Sequence, residues 1–272
     1  MPETLIKRTR GLHIRKTISE LIEYRELLWM LAWRDFRIKY AQTFLGLIWA
    51  VIEPLLMALL LSLVFNKVAS ASTYGIEPIL FGMVGMVSWN YFSNVVSEGN
   101  TSLILAQNMI KKIYFPRIII PLSKTIAALP DLIVTLVFTL VLILFYQPEI
   151  SANAWMTILF LGLTILAAAS LGLWFSALNI RFRDFKHIVP FLIRIGLFIT
   201  PIGYSTISID SAYKWLFYLN PMTGIIEGFR WALFGLEFSW PYFYISISVL
   251  FFLFVGGFLF FNQMQKNMAD II

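Results

Sequence analysis

Long apolar stretches alternate with short polar segments along most of the chain, after a charged N-terminal segment, residues 1–43. A helix needs about 20 mainly apolar residues to cross the hydrocarbon core of a bilayer. Six stretches are candidates, and Arg194 and Pro201 interrupt the short fifth one: 44–65, 78–96, 127–146, 154–178, 190–205 and 242–261. The pattern predicts an all-α polytopic membrane protein in which residues 44–272 form one transmembrane domain with six transmembrane helices.

The segment before the first apolar stretch has the periodicity of an amphipathic helix over residues 20–40. Its aromatic residues fall on one stripe and its charged residues on another, about a quarter-turn away. The two stripes consist of Trp29, Trp33, Phe36 and Tyr40, and of Glu23, Glu26, Arg34 and Arg37. This arrangement favours a helix that lies in the membrane interface, with its rings at the acyl boundary. The alternative is a solvated helix whose aromatic rings pack on the bundle.

The segment Thr101–Arg117 predicts a short amphipathic helix between the second and third stretches. Asn100 or Thr101 is suited to cap its start, and Pro116 to end it. The segment closes with a basic aromatic patch, Lys111, Lys112, Tyr114 and Phe115. Spacing alone favours two interpretations equally: a docking surface for a cytosolic protein, or an interfacial helix anchored by lysine and aromatic side chains.

The loop Ile207–Pro241 predicts two short helices before the last apolar stretch, one around Lys214–Leu219 and one after Asn220. Asn220 is a suitable N-cap, Pro221 fits the first helical position, and Gly235 ends the helix. Glu227 and Arg230 have the i, i+3 spacing of an ion pair on one helix face. These helices are too short to span a bilayer, so we expect them to be re-entrant or to lie flat. They form either the rim of an exit or a static plug.

Polar side chains interrupt the end of the second stretch, between Ser88 and Asn100. Trp89, Tyr91 and Phe92 are interleaved there with Asn90 and other small polar residues. Aromatic faces beside amides and hydroxyls form a surface that sugars prefer. Polar residues at membrane depth also join helices to one another, and this second interpretation is favoured on these residues alone.

Glu53 and Pro54 lie near the middle of the first stretch. A charged side chain there costs about 2.5–3.5 kcal/mol on insertion scales, so Glu53 is expected to face protein or water. Arg194 is a less favoured partner, because it is close enough to the interface to extend its charge there. Pro54 frees a backbone carbonyl and predicts a bend in the helix.

Composition excludes an ordinary soluble domain. Hydrophobic residues make up 59% of the 272 residues and charged residues 13%, against about a quarter charged in soluble domains. The chain has no cysteine, which excludes disulfides and thiolate metal sites. His13 and His187 are the only histidines, and no metal site is predicted.

The positions of the 21 lysine and arginine residues predict the topology. The side with the excess carries Lys7, Arg8, Arg10, Arg15, Lys16, Arg25, Arg34, Arg37, Lys39, Lys111, Lys112, Arg117, Arg181, Arg183, Lys186 and Lys266. The opposite side carries only Lys67, Lys214 and Arg230, while Lys124 and Arg194 lie at membrane edges. Both termini are therefore predicted to be cytoplasmic.

Motifs for catalysis or nucleotide binding are absent from the sequence. It contains no G-x-x-x-x-G-K-[ST], no G-x-S-x-G and no H-E-x-x-H. The chain is therefore not expected to bind ATP by a P-loop or to be an enzyme. A membrane enzyme such as a glycolipid transferase, which would rely on Asp35, Glu53, Asp131 or Glu227, is the weakest hypothesis.

The stretch WRDFRIKYAQTFLGLIWAVIEPLLM, residues 33–57, resembles the first-span segment of ABC-2-type export permeases. The matching residues are Arg34, Asp35, Tyr40, Thr43, Leu45, Gly46, Trp49 and Pro54. Phe115-Pro116-Arg117 after a lysine pair and Asn220-Pro221-Met222 also match, and the resemblance runs from about Leu28 to the C-terminus. Chain length and six spans are most similar to the bacterial polysaccharide exporters: O-antigen (Wzm-type), capsule and teichoic acid permeases.

The resemblance implies a transmembrane subunit that forms a homodimer with two copies of a separate cytosolic ABC ATPase in the bacterial inner membrane. ATP and Mg would bind to that ATPase, with no cofactor in this chain and no nucleic acid partner. The implied substrate is a polyprenyl-diphosphate-linked polysaccharide, and membrane lipids are further partners. The alternative is export by the same fold of another glycopolymer, such as capsule or teichoic acid, or of a small lipid or drug.

The resemblance also implies roles for particular residues. The sugar path is expected to include Trp49, Trp89, Asn90, Tyr91, Phe92, Phe198 and Tyr204. The interface helix, facing headgroups or the diphosphate, includes Arg34, Asp35, Arg37, Lys39 and Tyr40. Coupling to the ATPase would involve Lys111, Lys112, Tyr114, Phe115, Pro116 and Arg117. The outer exit would involve Asn220, Pro221, Glu227 and Arg230.

Overall fold

The computed structural model describes residues 14–41, 43–68 and 72–265, and these residues form helices and loops with no strand among them. Lys7, Arg8, Arg10 and Lys266, which enter the topology prediction, lie outside the described residues. The α-helices are α1 (Ile14–Glu23), α2 (Arg25–Tyr40), α3 (Trp49–Ser62), α4 (Pro78–Leu105), α5 (Gln107–Lys112), α6 (Ile119–Ala127), α7 (Leu129–Tyr146), α8 (Thr157–Arg181), α9 (Phe185–Ile199), α10 (Ser211–Tyr218), α11 (Pro221–Phe234) and α12 (Trp240–Gln265).

Five helical segments of the described chain are long and apolar enough to cross a membrane. They are Gly46–Phe65, Pro78–Leu105, Ile119–Tyr146, Ala154–Arg181 and Trp240–Gln265. Each contains most of one predicted stretch, so five of the six predicted spans have a matching helix.

The remaining stretch, 190–205, is divided between a helix and a loop. Its helix, α9, has 15 residues and ends before Thr200, whose backbone is extended. At about 1.5 Å rise per residue it is roughly 22 Å long, less than the ~30 Å of a hydrocarbon core. A membrane crossing by this fifth stretch, which would bring the total to six, stays a prediction.

Helix α4 occupies the centre of the bundle, where it packs against α3, α6, α7, α8, α9 and α11. Glycines allow this close packing, because a Cβ at Gly82 would lie 3.3 Å from Ala58 Cβ and one at Gly99 3.2 Å from Gly172 Cα. Small residues let helices in a membrane approach closely and gain dispersion energy. Most of α4 is therefore buried within this one chain.

A second hydrophobic cluster lies at one end of the bundle. It joins Leu31 of α2 with Phe115, Ile119 of α6 and Phe261 of α12. The cluster fixes α2 against the helices that follow it in sequence, and it anchors the chain just after α5. The end of the bundle next to α5 and its two lysines thus has its own core.

The structure corrects the predicted start and end of the short helix within Thr101–Arg117. Asn100 and Thr101 do not cap it, because both lie inside α4, which continues to Leu105. Leu103 is fully buried, so packing extends the long helix past the polar positions. The short helix α5 ends at Lys112, before Pro116.

The predicted ends of α11 are confirmed. The Asn220 side chain accepts a hydrogen bond from the Met222 amide at 3.1 Å, and Pro221 is the first helical residue. Gly235 ends the helix with a φ of +66°, a left-handed conformation that glycine adopts without strain.

Candidate functional site

The C-terminal end of α2 is held against the start of α7 by a buried carboxylate. Lys39 Nζ lies 2.5 Å from Asp131 Oδ2, and the Tyr40 hydroxyl donates a hydrogen bond to Asp131 Oδ1. Burial, followed by the hydrogen bond to Asp131, raises the pKa of Tyr40 above its usual range. The phenol therefore stays protonated as a donor, and Asp131, which is almost fully buried, is paired on both oxygens.

A second ion pair joins α2 to α6, one turn before the first. Lys124 Nζ lies 2.7 Å from Asp35 Oδ2, and Arg34 binds the other oxygen of Asp35 at 2.8 Å. Charge-assisted hydrogen bonds of this kind are the stronger ones in proteins. Four of the five predicted interface residues therefore belong to these two clusters, while Arg37 is exposed.

The aromatic stripe of α2 is present as predicted. The ring of Phe36 lies 5.5 Å from that of Trp33 and 5.2 Å from that of Tyr40. Trp29 and Trp33 are exposed in this single chain. Their placement in the membrane interface stays a prediction.

A cavity of about 340 Å³ opens beside the pair formed by Lys39 and Asp131. We call it the acidic cavity, because three carboxylates line it and one lysine faces them. Its side chains come from α2, α3, α4, α7 and the segment between α2 and α3. The polar or aromatic ones are Lys39, Tyr40, Thr43, Trp49, Glu53, Asn90, Asn94, Ser97, Glu98 and Asp131.

A neighbouring cavity of about 560 Å³ lies on the other side of Lys39. We call it the basic cavity, because Arg34, Lys39 and Lys124 line it against Asp35 and Glu98. Lys39 and Glu98 line both cavities. The two spaces therefore adjoin, with opposite excess charge.

The predicted sugar-path residues separate into two groups. Trp49 and Asn90 line the acidic cavity. Trp89, Tyr91 and Phe92 are buried among helices of the same chain, and the Tyr91 hydroxyl donates to the Thr125 carbonyl at 2.9 Å. In the structure these three rings pack helices together.

The remaining two path residues lie near the end of α9. Phe198 is exposed. Tyr204 is partly exposed, has its ring 4.9 Å from that of Phe65, and donates to the Ile199 carbonyl at 2.8 Å. The structure does not bring either residue to the acidic cavity.

The predicted coupling residues also differ in exposure. Lys111, Lys112 and Tyr114 project from the protein, and Tyr114 is 92% exposed. Phe115 and Pro116 are buried, and Arg117 donates to the Gln265 carbonyl at 2.8 Å. The exposed tip of this segment, formed by Lys111, Lys112 and Tyr114, is therefore fixed to the bundle by the residues that follow it.

The predicted pair of Glu227 and Arg230 is present, at 3.3 Å, in the protein interior. Arg230 also donates to the carbonyls of Pro201, Ile202 and Tyr204. The pair fixes the loop after α9 to α11, so these two side chains support the outer helices from within. Asn220 is part of the same region, since its amide donates to the Thr200 hydroxyl at 2.8 Å.

Sequence reasoning did not connect Glu98, Lys124 and Asp131 with α2. The available signal was their charge at the edges of apolar stretches, where a charged group needs a partner. The pairing of Glu53 with Arg194, which the sequence did not favour, is absent from the ion pairs of the described residues. No three potential metal ligands are grouped in the described part of the chain.

Comparison with known proteins gives a consistent assignment. The ABC-2 type transporter family matches residues 26–234. An O-antigen export system permease protein, RfbA, of Myxococcus xanthus is 30% identical over 79% of this chain and 83% of its own length. RfbA of Klebsiella pneumoniae is 26% identical over 91% of this chain and 95% of its own. The polysialic acid transport protein KpsM of Escherichia coli is 25% identical over 71% of this chain and 76% of its own.

Proposed function

We infer that this chain, which belongs to the ABC-2 type transporter family, is the transmembrane subunit of an ABC exporter of an O-antigen-like polysaccharide. The observation that carries this conclusion is the match to O-antigen export permeases over most of both chains. The chain is a multi-pass protein of the bacterial inner membrane. It is a transporter subunit and not an enzyme.

Energy comes from a separate ABC ATPase, because the sequence contains no P-loop. ATP and Mg bind to that subunit. In our proposal two copies of this chain form a homodimer with two copies of the ATPase, and both termini are cytoplasmic. The excess of basic residues on the side of α2 and α5 supports this orientation.

Coupling to the ATPase takes place at α5 and the segment that follows it. Lys111, Lys112 and Tyr114 are exposed there, while Phe115 beneath them is part of the second core. A force on these exposed side chains is transmitted through Phe115 to α2, α6 and α12. It also reaches the C-terminal end of α4 through Ala106, the residue between α4 and α5. This force shifts the first and fifth predicted spans, 44–65 and 190–205, and the shift opens a path for the polymer.

The substrate is carried on a polyprenyl diphosphate in this proposal. The basic cavity supports it, because Arg34, Lys39 and Lys124 are the donors that a diphosphate prefers. Trp49 and Asn90 begin the sugar path beside it, and Phe198 and Tyr204 continue it. The outer exit is formed by α10 and α11, with Asn220 and Pro221 at the start of α11.

A deletion strain tests the export function. Removal of this chain should abolish surface polysaccharide, with lipid-linked glycan accumulating inside the cell, and expression of the chain should restore export. Inactivation of the partner ATPase is the matched control and should give the same result. Normal surface glycan after the deletion would contradict the proposal.

The chemistry of the accumulated glycan separates O-antigen from the other glycopolymers. Capsule export is the second candidate, because the relative KpsM is named a polysialic acid transport protein. An accumulated small lipid without glycan would instead indicate the small-lipid exporter.

A further inference from the structure

Five polar side chains of the acidic cavity lack partners within the described part of the chain. Glu53, Asn90, Asn94, Ser97 and Glu98 make no side-chain hydrogen bond or ion pair there. Elsewhere in the bundle, buried polar groups such as Asn179, Thr135 and Arg230 are bonded to backbone carbonyls. The cavity thus concentrates donors and acceptors that are available to a ligand.

Asn90 is the most informative of these residues. It is only 8% exposed, it lines the cavity, and its amide has no partner among the described residues. Because no described group bonds this amide, it is available to a ligand in the cavity. A bound group that both donates and accepts would satisfy its two ends.

The remaining walls indicate what that group is. Trp49 presents a half-exposed indole to the cavity, and Glu53 stands at membrane depth on the next turn of α3. An aromatic face, an amide and carboxylate acceptors together match a pyranose, which has an apolar face and a rim of hydroxyl groups.

Charge restricts the class of sugar further. Lys39 pairs with Asp131 at 2.5 Å, and no ion pair in the described part of the chain joins a cation to Glu53 or Glu98. A carboxylate or phosphate on the sugar would be repelled by the Glu53 carboxylate, because juxtaposed like charges are unfavourable.

We propose that the acidic cavity binds one uncharged, hydroxyl-rich sugar residue of the exported polymer and discriminates against acidic sugars. Trp49 stacks on the sugar ring, Asn90 bonds two hydroxyl groups, and Glu53 accepts from a hydroxyl and repels anions. Glu53 is thus a specificity-determining residue. The proposal rests on the export of a polysaccharide by this chain and adds the charge class of its sugar.

Equilibrium binding to the purified permease–ATPase complex in lipid nanodiscs tests the proposal. The probes are maltohexaose, which is uncharged, and a galacturonic acid hexamer of the same length, each with the same fluorescent end label. The wild-type complex should bind maltohexaose at least about tenfold more tightly than the acidic hexamer. Glu53→Gln should reduce this ratio to below about threefold by strengthening binding of the acidic probe.

Two further variants make the result specific. Asn90→Ala should weaken both probes by a similar factor, because it removes hydrogen bonds and no charge. Glu149→Gln, at an exposed carboxylate in the loop after α7, is the matched control and should leave the ratio unchanged. A variant is interpreted only if its complex has the same elution volume in size-exclusion chromatography and the same unfolding temperature as the wild type.

Equal binding of the two probes by the wild type, or an unchanged ratio in Glu53→Gln, would overturn the proposal. Binding of neither probe would overturn it as well, while export in the complemented deletion strain would leave the exporter assignment intact. Conversely, charge-selective binding in a chain whose deletion leaves surface glycan unchanged would support this sugar site and contradict the exporter assignment.

Discussion

Arg230 is the most enclosed charged side chain in the described part of the chain, and its partners explain why it is tolerated there. Its guanidinium donates to three backbone carbonyls of the loop after α9, at 2.5–2.9 Å, and pairs with Glu227. The i, i+3 spacing predicted the pair with Glu227. The carbonyls could not be predicted, because they belong to a loop whose path is fixed only by packing.

Loss of the Arg230 charge should destabilise the protein. Arg230→Met removes the donor to three carbonyls and the only cation paired with Glu227 in the described part of the chain, although Ser205 and Thr206 still donate to that carboxylate. Removal of one partner of a buried ion pair costs about 3–5 kcal/mol. We expect a lower unfolding temperature in detergent, measured by the change in intrinsic tryptophan fluorescence. Arg194→Met, at an exposed position, is the control; equal unfolding temperatures for the two variants would contradict this account of Arg230.

Two glycines offer a test of packing between α8 and α11. A Cβ at Gly228 would lie 2.0 Å from Phe160 Cε1, whereas one at Gly162 would have no atom within 4 Å. Gly228→Ala should therefore destabilise the protein by about 1–3 kcal/mol, and Gly162→Ala should be neutral or slightly stabilising, because alanine favours helices. Thermal unfolding of the two variants checks this, and identical behaviour would show that α11 can move away from Phe160.

Among the helices, the sequence-based predictions were most accurate where local chemistry defines an end. Asn220, Pro221 and Gly235 identified both ends of α11, and the aromatic stripe identified the face of α2. The end of α4 was missed, because burial of Leu103 extends the helix beyond its polar positions. The two ion pairs that join α2 to α6 and α7 were missed because their partners are about ninety residues apart in sequence.

A double-mutant cycle tests the ion pair between Asp35 of α2 and Lys124 of α6. Asp35→Asn and Lys124→Met should each lower the free energy of unfolding, and the double variant should lose less than the sum by about 0.5–3 kcal/mol. Arg37→Met combined with Lys124→Met is the control pair and should be additive, since Arg37 is exposed and on the same helix. Additivity in both pairs would show that the 2.7 Å contact contributes no coupling energy.

The exposed tip after α5 should be required for ATPase binding. Tyr114→Ala removes the most exposed ring of the predicted coupling segment, so less ATPase should copurify with the permease, and its ATP turnover should respond less to substrate. Tyr213→Ala, an exposed tyrosine on α10, is the matched control. Full retention of the ATPase by the Tyr114 variant would place the coupling surface elsewhere.

For the whole molecule, composition and apolar stretches predicted the class of the protein, and a motif resemblance predicted its family. Five of six predicted spans correspond to long helices, while 190–205 combines the 15-residue α9 with a loop held by Arg230. The site was only half predictable: Trp49 and Asn90 share a cavity, but Trp89, Tyr91 and Phe92 serve as packing. Side chains on one helix point in different directions around its axis. Only the packing of the helices determines which of them line a cavity.

The orientation of the protein in the membrane can be tested by labelling introduced cysteines, because the chain has none of its own. Single cysteines at Asn108, Glu149 and Tyr213 should react differently with a membrane-impermeant maleimide applied to cells with a permeable outer membrane. Glu149→Cys and Tyr213→Cys should be labelled from outside, and Asn108→Cys only after the inner membrane is opened. The reverse pattern would place both termini outside and contradict the positive-inside assignment.

Translocation in proteoliposomes tests whether this chain, together with its ATPase, moves a lipid-linked polysaccharide across a membrane. The permease and its ATPase are reconstituted with the ATPase outward, and polyprenyl-diphosphate-linked polysaccharide is supplied in the outer leaflet together with ATP and Mg. The polysaccharide should become protected inside the vesicles in an ATP-dependent manner, and ATP turnover should rise when the polysaccharide is supplied. Unchanged ATP turnover with no protected glycan, in vesicles whose ATPase is active and bound to the permease, would contradict this function.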